Sequence, residues 1–110
     1  NLAHPVTAAY LVATEGSLTR DGGTVFSEYN GQQIEIEGGV RLNVSLVSDE
    51  VRYPDGASAK ISTGAGNTSG DSVALVGSSL DNGDEIISSP QGSVRRSVRA
   101  GESLPENFLK

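Results

Sequence analysis

Val12-Ala13-Thr14-Glu15-Gly16-Ser17-Leu18-Thr19-Arg20-Asp21-Gly22-Gly23-Thr24-Val25 opens a pattern that returns twice along the chain. The second appearance is Ser45-Leu46-Val47-Ser48-Asp49-Glu50-Val51-Arg52-Tyr53-Pro54-Asp55-Gly56. The third is Val73-Ala74-Leu75-Val76-Gly77-Ser78-Ser79-Leu80-Asp81-Asn82-Gly83-Asp84-Glu85-Ile86-Ile87. With Gly16, Ser48 and Gly77 aligned, the spacings are 32 and 29 residues. A near-constant period of this length marks a repeat architecture. Each unit runs from a short Val/Leu-rich stretch into a glycine-bearing turn, the pattern of short strands joined tightly.

The composition agrees with that reading. The chain has 110 residues, enough for one domain with a modest core. Its 14 glycines are nearly double the usual share, which implies many turns. The expected fold is all-β, as one domain of three pseudo-repeats over residues 1–90, followed by a C-terminal strand and tail over residues 91–110. Three similar units give one chain a pseudo-threefold shape, and that shape suits a partner that is itself a threefold trimer.

Charge and residue usage exclude several classes. The formal charge is −6, from eight basic and fourteen acidic residues. It disfavours electrostatic capture of nucleic acid or of an anionic membrane surface. Arg95, Arg96 and Arg99 form the one cluster of cations, read as a solvated face, with a local contact to an acidic partner as the alternative. With no cysteine, the chain makes no disulfide and no thiolate metal site. No apolar run approaches the ~20 residues of a membrane-spanning helix. The start, Asn1-Leu2-Ala3-His4-Pro5-Val6, lacks a basic stretch followed by a long apolar one, so no signal peptide is expected there, and Asn1 in place of Met points to a trimmed chain.

Between the repeats the patterning is that of strands. Residues 6–13 read as a strand, favoured by β-branched content and the early Gly16 over the alternative of a short helix, Asp21-Gly22-Gly23 as a turn and Thr24-Val25-Phe26-Ser27-Glu28-Tyr29 as a strand. Asn30-Gly31 is the dipeptide most favoured in a two-residue hairpin, which predicts pairing of that strand with Gln33-Ile34-Glu35-Ile36-Glu37. Val40-Arg41-Leu42-Asn43-Val44-Ser45-Leu46 alternates cleanly, with Val40, Leu42, Val44 and Leu46 on one face. Tyr53-Pro54-Asp55-Gly56 is a turn with proline pre-set at its second position. Residues 57–63, 73–76 and 85–88 are further short strands, residues 64–71 a loop, and residues 91–99 a last strand. Residues 100–110 read as a loose tail, with docking of Phe108 and Leu109 as the alternative.

Catalytic signatures are absent: no hydrolase elbow, phosphate loop, zinc box or calcium loop occurs. Gly64-Ala65-Gly66 with Gly70 lacks the helix that a phosphate site needs. The sole histidine, His4, has no predictable partner as a base or ligand. The pairs Asp49/Glu50 and Asp84/Glu85 sit beside turns, and adjacent strand residues point to opposite faces, so neither pair converges on one substrate. The expected protein is not an enzyme.

Glu15-Gly16-Ser17-Leu18-Thr19-Arg20-Asp21-Gly22-Gly23-Thr24-Val25 resembles the opening of PAAR-repeat proteins, where a Gly-Asp-x-Thr-Ser-His-Gly-Gly-Thr-Val type segment is common. Val44-Ser45-Leu46-Val47-Ser48-Asp49-Glu50-Val51 resembles their second repeat. Val73-Ala74-Leu75-Val76-Gly77-Ser78-Ser79-Leu80 resembles the third, nearest to the family's Val-Ala-x-Val-Gly-Asp form. The resemblance covers residues 11–90. It implies a small conical β protein that caps the end of a trimeric β-helical spike, one tip per trimer, in a type VI secretion system or a contractile phage-like tail. It also implies a monomer when alone, sharpening of the spike for membrane penetration, possible effector cargo, and no stable membrane anchor. Such a tip is cytoplasmic before assembly and is then carried out of the cell or built into a virion tail.

The family commonly holds zinc near its apex through histidines and a cysteine. Asp21, Tyr53 and Asn82 stand here near those ligand positions, so the expectation is an apex without metal or other cofactor, held by hydrogen bonds and turn packing. Val25, Phe26, Ile61, Ile86 and Ile87 follow the repeat turns and are the candidates for an apolar spike-binding base. The competing readings are a carbohydrate-binding or adhesin-like module, which would use Tyr10, Tyr29 or Tyr53, a virion decoration protein that self-trimerises, and an enzyme subdomain with an unrecognised site.

Overall fold

The computed structural model describes residues 6–66, 72–105 and 108–110. The fold is all-β, with nine short strands among the described residues: β1 (Val6–Leu11), β2 (Leu18–Thr19), β3 (Thr24–Phe26), β4 (Gln33–Glu35), β5 (Arg41–Asn43), β6 (Glu50–Arg52), β7 (Ser58–Lys60), β8 (Ile86–Ser88) and β9 (Arg95–Arg99). Among the described residues one 3-10 turn occurs, at Glu37–Gly39.

The repeats meet at a backbone ring. Ala13 N donates to Ala74 O at 2.9 Å, Ala74 N to Ser45 O at 2.8 Å, and Ser45 N to Ala13 O at 3.0 Å, which closes a cycle through all three units. A second cycle surrounds it: Glu15 N to Asn43 O, Val47 N to Ser72 O, and Val76 N to Leu11 O, at 2.8 to 2.9 Å. The bridges Val12 to Leu75, Thr14 to Val44 and Leu46 to Val73 repeat the same relation. Ala13, Ser45 and Ala74 are each fully buried, because three backbones converge there and only small side chains fit.

Each unit leaves the ring through the same tight turn. Ser17, Asp49 and Ser78 each turn a side-chain oxygen back onto the amide three residues earlier, at 2.9 to 3.0 Å. The residue before each takes a left-handed backbone: Gly16 (φ 87), Ser48 (φ 84) and Gly77 (φ 109). That geometry suits glycine. Each unit then folds as a hairpin whose far turn is closed by a matched bond: Thr19 N to Gly23 O, Tyr53 N to Ala57 O, and Leu80 N to Asp84 O.

The three hairpins pair side by side in the order β7-β6-β3-β2-β8. Single bridges, Ile61 to Leu80 and Ser79 to Glu85, join the two outer members and close the sheet on itself. Closure removes the edges that would otherwise template aggregation. Inside lie Val25, Val51, Ala59, Ile61, Leu80 and Ile86, with Ala13 and Ala74 as the floor. A second cluster lies across the ring, where Val12, Val44 and Leu75 meet Ile34 and Phe108.

Several expectations are corrected. Asn30-Gly31 does not join two paired strands. β3 already has β2 and β6 on its edges, so β4 pairs with β5 across Glu37-Gly38-Gly39 instead. Asn30 serves the loop itself, accepting from Gln32 N at 3.0 Å and donating to Val44 O at 2.7 Å. The alternating run at residues 40–46 splits in two. Val40 is exposed on the β4–β5 hairpin, while Ser45, the polar residue expected outside, is fully buried in the ring and bonded to Ser27 Oγ at 2.7 Å. The tail is docked at its end: Phe108 is buried, Leu109 N donates to Gly64 O at 2.6 Å, and the Tyr10 and Phe108 rings meet edge-on at 5.6 Å. β9 pairs with β1 from Leu11 to Val6, so the C-terminal strand lies against the N-terminal one.

Candidate functional site

Two ends of the closed sheet carry the residues of interest. Antiparallel hairpins that all start from one ring must place their far turns together at the other end. There, Tyr53 Oη donates to Asp84 Oδ2 at 2.6 Å and accepts from Asn82 Nδ2 at 3.0 Å. The amides of Glu85 and Asp21 donate to Asp84 Oδ1 at 2.7 and 3.1 Å. Arg20 reaches Gly83 O at 2.9 Å and stands 3.8 Å from Asp84 Oδ1. One buried carboxylate therefore ties the turn of each hairpin to the other two.

The electrostatics follow from that geometry. Burial opposes the charged form of Asp84, but hydrogen bonds from Thr19, Tyr53 and the amides of Glu85 and Asp21 outweigh it and hold the carboxyl below its ordinary value. Burial, and then the bond to Asp84, pushes the Tyr53 phenol up.

Of the residues near the family's ligand positions, Tyr53 and Asn82 are brought together, while Asp21 contributes its backbone amide and turns its side chain to Arg20 at 3.2 Å. These residues do not fit a zinc ion. Both oxygens of Asp84 already accept from protonated donors, and phenol and amide are poor ligands for zinc beside thiolate or imidazole. Asp84 itself was legible only as a turn residue. Its signal was position: it occupies the place after the glycine of the third turn that Gly23 and Ala57 hold in the other two.

The ring end differs. Val12, Val44 and Val73 each precede a ring residue by one, so they face away from the sheet interior. All three line one shallow hollow of about 410 Å³, rimmed by Gln32, Ile34 and Val94. Equivalent positions of the three repeats therefore share one hollow, with Val12 and Val44 themselves buried against Ile34. The expected base residues are distributed otherwise. Val25, Ile61 and Ile86 are the equivalent core residues, each no more than 2% exposed, and Phe26 and Ile87 face outward on the wall. The cause is the two-residue alternation of strands: neighbours in sequence sit on opposite faces of the closed sheet.

Other candidates resolve as structure. Asp49 is half-buried and accepts from Ser27 Oγ at 2.8 Å and Leu46 N at 2.9 Å, while Glu50 pairs with Arg52 at 3.0 Å. Arg95, Arg96 and Arg99 do not form one patch, since Arg96 lies over Phe108 and pairs with Glu102 at 2.6 Å. Tyr10 and Tyr53 are engaged as described, leaving Tyr29, 68% exposed, as the open tyrosine. His4 and residues 67–71, with Gly70, lie outside the described residues. Among the described residues no group of three or more His, Asp or Glu is placed to hold a metal, and no helix is long and apolar enough to cross a membrane.

No family model matches the chain, and no curated protein or solved structure matches it.

Proposed function

We propose that this protein is a PAAR-like spike tip: it caps the end of a trimeric β-helical spike, one copy per trimer, and holds its apex together through Asp84 rather than through zinc. The observation that carries the reading is the cyclic hydrogen bonding of Ala13, Ser45 and Ala74. A single chain thereby presents pseudo-threefold symmetry, which is what a monomer needs to meet a symmetric trimer on its axis.

The two ends divide the work. At the ring end, the hollow lined by Val12, Val44 and Val73 offers a seat for apolar side chains that three spike chains bring together on their axis. At the turn end, the Asp84 network keeps the hairpins from splaying under axial load. Closed pairing of all the hairpins, with no free edge in that sheet, supports the same mechanical role. Delivery outside the cell, or a place in a virion tail, follows from the same reading, and so does any carriage of effector cargo.

Light scattering after size exclusion tests it, on the protein alone and mixed with the trimeric spike protein encoded beside it. The expected result is a monomer that joins the spike at one copy per three chains. A self-trimer, or no complex at any ratio, overturns the proposal and turns attention to a decoration protein or a glycan-binding module.

A further inference from the structure

The repeats share a backbone plan but not a surface. Where Gly16 and Gly77 take the left-handed turn, the middle repeat has Ser48 at φ 84. Where Ile61 and Ile86 are followed by Ser62 and Ile87, Val25 is followed by Phe26. Both departures fall in one cleft of about 340 Å³, lined by Phe26, Glu28, Tyr29, Ser48, Glu50 and Arg52. That volume is at the small end of the ~300–1,000 Å³ typical of ligand sites.

The cleft is built of paired types. Tyr29 and Phe26 are 68% and 48% exposed, an unusual display for aromatic rings in so small a chain. Arg52 stacks 3.8 Å from the centroid of Phe26, and Glu50 pins it there through a 3.0 Å ion pair. Ser48 stands in a backbone conformation that its two counterparts fill with glycine, and a non-glycine residue kept in such a conformation points to a constraint other than folding. Capping a symmetric trimer uses what the repeats share. This cleft is made from what they do not share, so the capping role leaves it unexplained.

We infer that the cleft binds the pyranose ring of an uncharged glycan. A pyranose presents a flat C–H face and an edge of hydroxyls. The exposed Tyr29 ring supplies an apolar plate with a polar tip for the first. Glu28, Glu50 and the Ser48 hydroxyl supply acceptors for the second, and Arg52 a donor. With three carboxylates, Glu28, Asp49 and Glu50, lining the cleft against one guanidinium in a chain of charge −6, anionic sugars are disfavoured.

Amide NMR titration of the full chain with chitotetraose and with maltotetraose tests this, with a hyaluronan tetrasaccharide as the anionic control. The expected result is saturable shifts at residues 26–30 and 48–52 with one of the neutral sugars, and none at Asp84. Tyr29→Ala, an exposed position, should weaken that binding at least tenfold while leaving the melting temperature in place, and Ser48→Gly should weaken it less. Absence of shifts from both neutral sugars up to about 10 mM, where even millimolar affinity would register, overturns the inference. So do shifts that survive Tyr29→Ala, or binding of the anionic sugar alone. The titration uses the chain by itself, so its outcome is independent of any spike.

Discussion

Tyr53 Oη donates to Asp84 Oδ2 at 2.6 Å, joining the turn of the middle hairpin to that of the third. The middle hairpin reaches this far because it is longer: three residues lie between Asp49 and Tyr53, whereas one lies between Ser17 and Thr19 and one between Ser78 and Leu80. Hydrogen bonds to a charged group contribute about 1.5–3 kcal/mol. Tyr53→Phe is therefore expected to lower unfolding stability by about 2 kcal/mol, read from the urea midpoint at constant slope. Asp84→Ala should cost more, because it leaves the phenol and two amides without their acceptor. No change in either variant would remove Asp84 from its place as the apex tie.

Acid should loosen the same end. The folded-state carboxyl of Asp84 titrates below its ordinary value of 3.8. Its contribution is complete above that value and is lost as pH falls through the lower, folded one. Tyr53 acts in the opposite direction. Its phenol is raised above 10.0, so its contribution is complete below that pH and is lost as pH climbs through the folded value. Melting temperature followed from pH 2 to pH 11 should fall at both extremes, and Asp84→Asn should flatten the acid limb.

Ser48 occupies a turn that its two counterparts build with glycine. Ser48→Gly removes a left-handed strain of about 1–2 kcal/mol, offset in part by glycine's greater freedom when unfolded, so a net gain of about 1 kcal/mol is expected. Gly77→Ala is the mirror experiment and should cost about as much. Thermal melts of the two variants, run side by side, would refute the shared geometry if both moved the same way.

The isoleucine positions separate interior from wall. Ile61 is 1% exposed and Ile87 is 52% exposed. Ile61→Ala should cost about 2–5 kcal/mol, through lost burial and the cavity left behind. Ile87→Ser, on the outer wall, should stay within about 0.5 kcal/mol. Chemical denaturation distinguishes them directly.

Val94, 42% exposed, lies on the rim of the ring-end hollow. If a spike trimer seats there, Val94→Asp places a charge in a desolvated junction and should weaken the complex at least about tenfold. The isolated protein should melt as before. Unchanged affinity in a complex that does form would move the junction elsewhere on the surface.

The period of the repeats, the glycine turns and the strand character of residues 6–11 and 86–88 were all legible in the chain, because local alternation and turn chemistry act over a few residues. The pairing of Tyr53 with Asn82 was not a local signal: the resemblance to PAAR-repeat proteins alone grouped them with Asp21, and in the structure Asn82 Nδ2 donates to Tyr53 Oη. The hairpin forecast at Asn30-Gly31 failed because both edges of β3 are taken: the adjacent β2 pairs on one side as a local hairpin, and β6, from the next repeat, takes the other. Ser45 read as a surface residue because the pattern of residues 40–46 continues through it, yet the chain enters the ring there and three backbones enclose it. Phe108 is buried only because β9 returns alongside β1 and brings the tail under Tyr10.

The sequence by itself determined that this is an all-β chain of three related turns, since period, glycine content and alternation are properties of neighbours. Only the tertiary structure decided how those units close. The cyclic bonds of Ala13, Ser45 and Ala74, the burial of Val25, Ile61 and Ile86, and the gathering of three turns on one carboxylate all join residues separated by 25 positions or more. Such long-range pairings depend on which backbone groups are left unsatisfied once every hairpin has formed, and no short window of sequence holds that information.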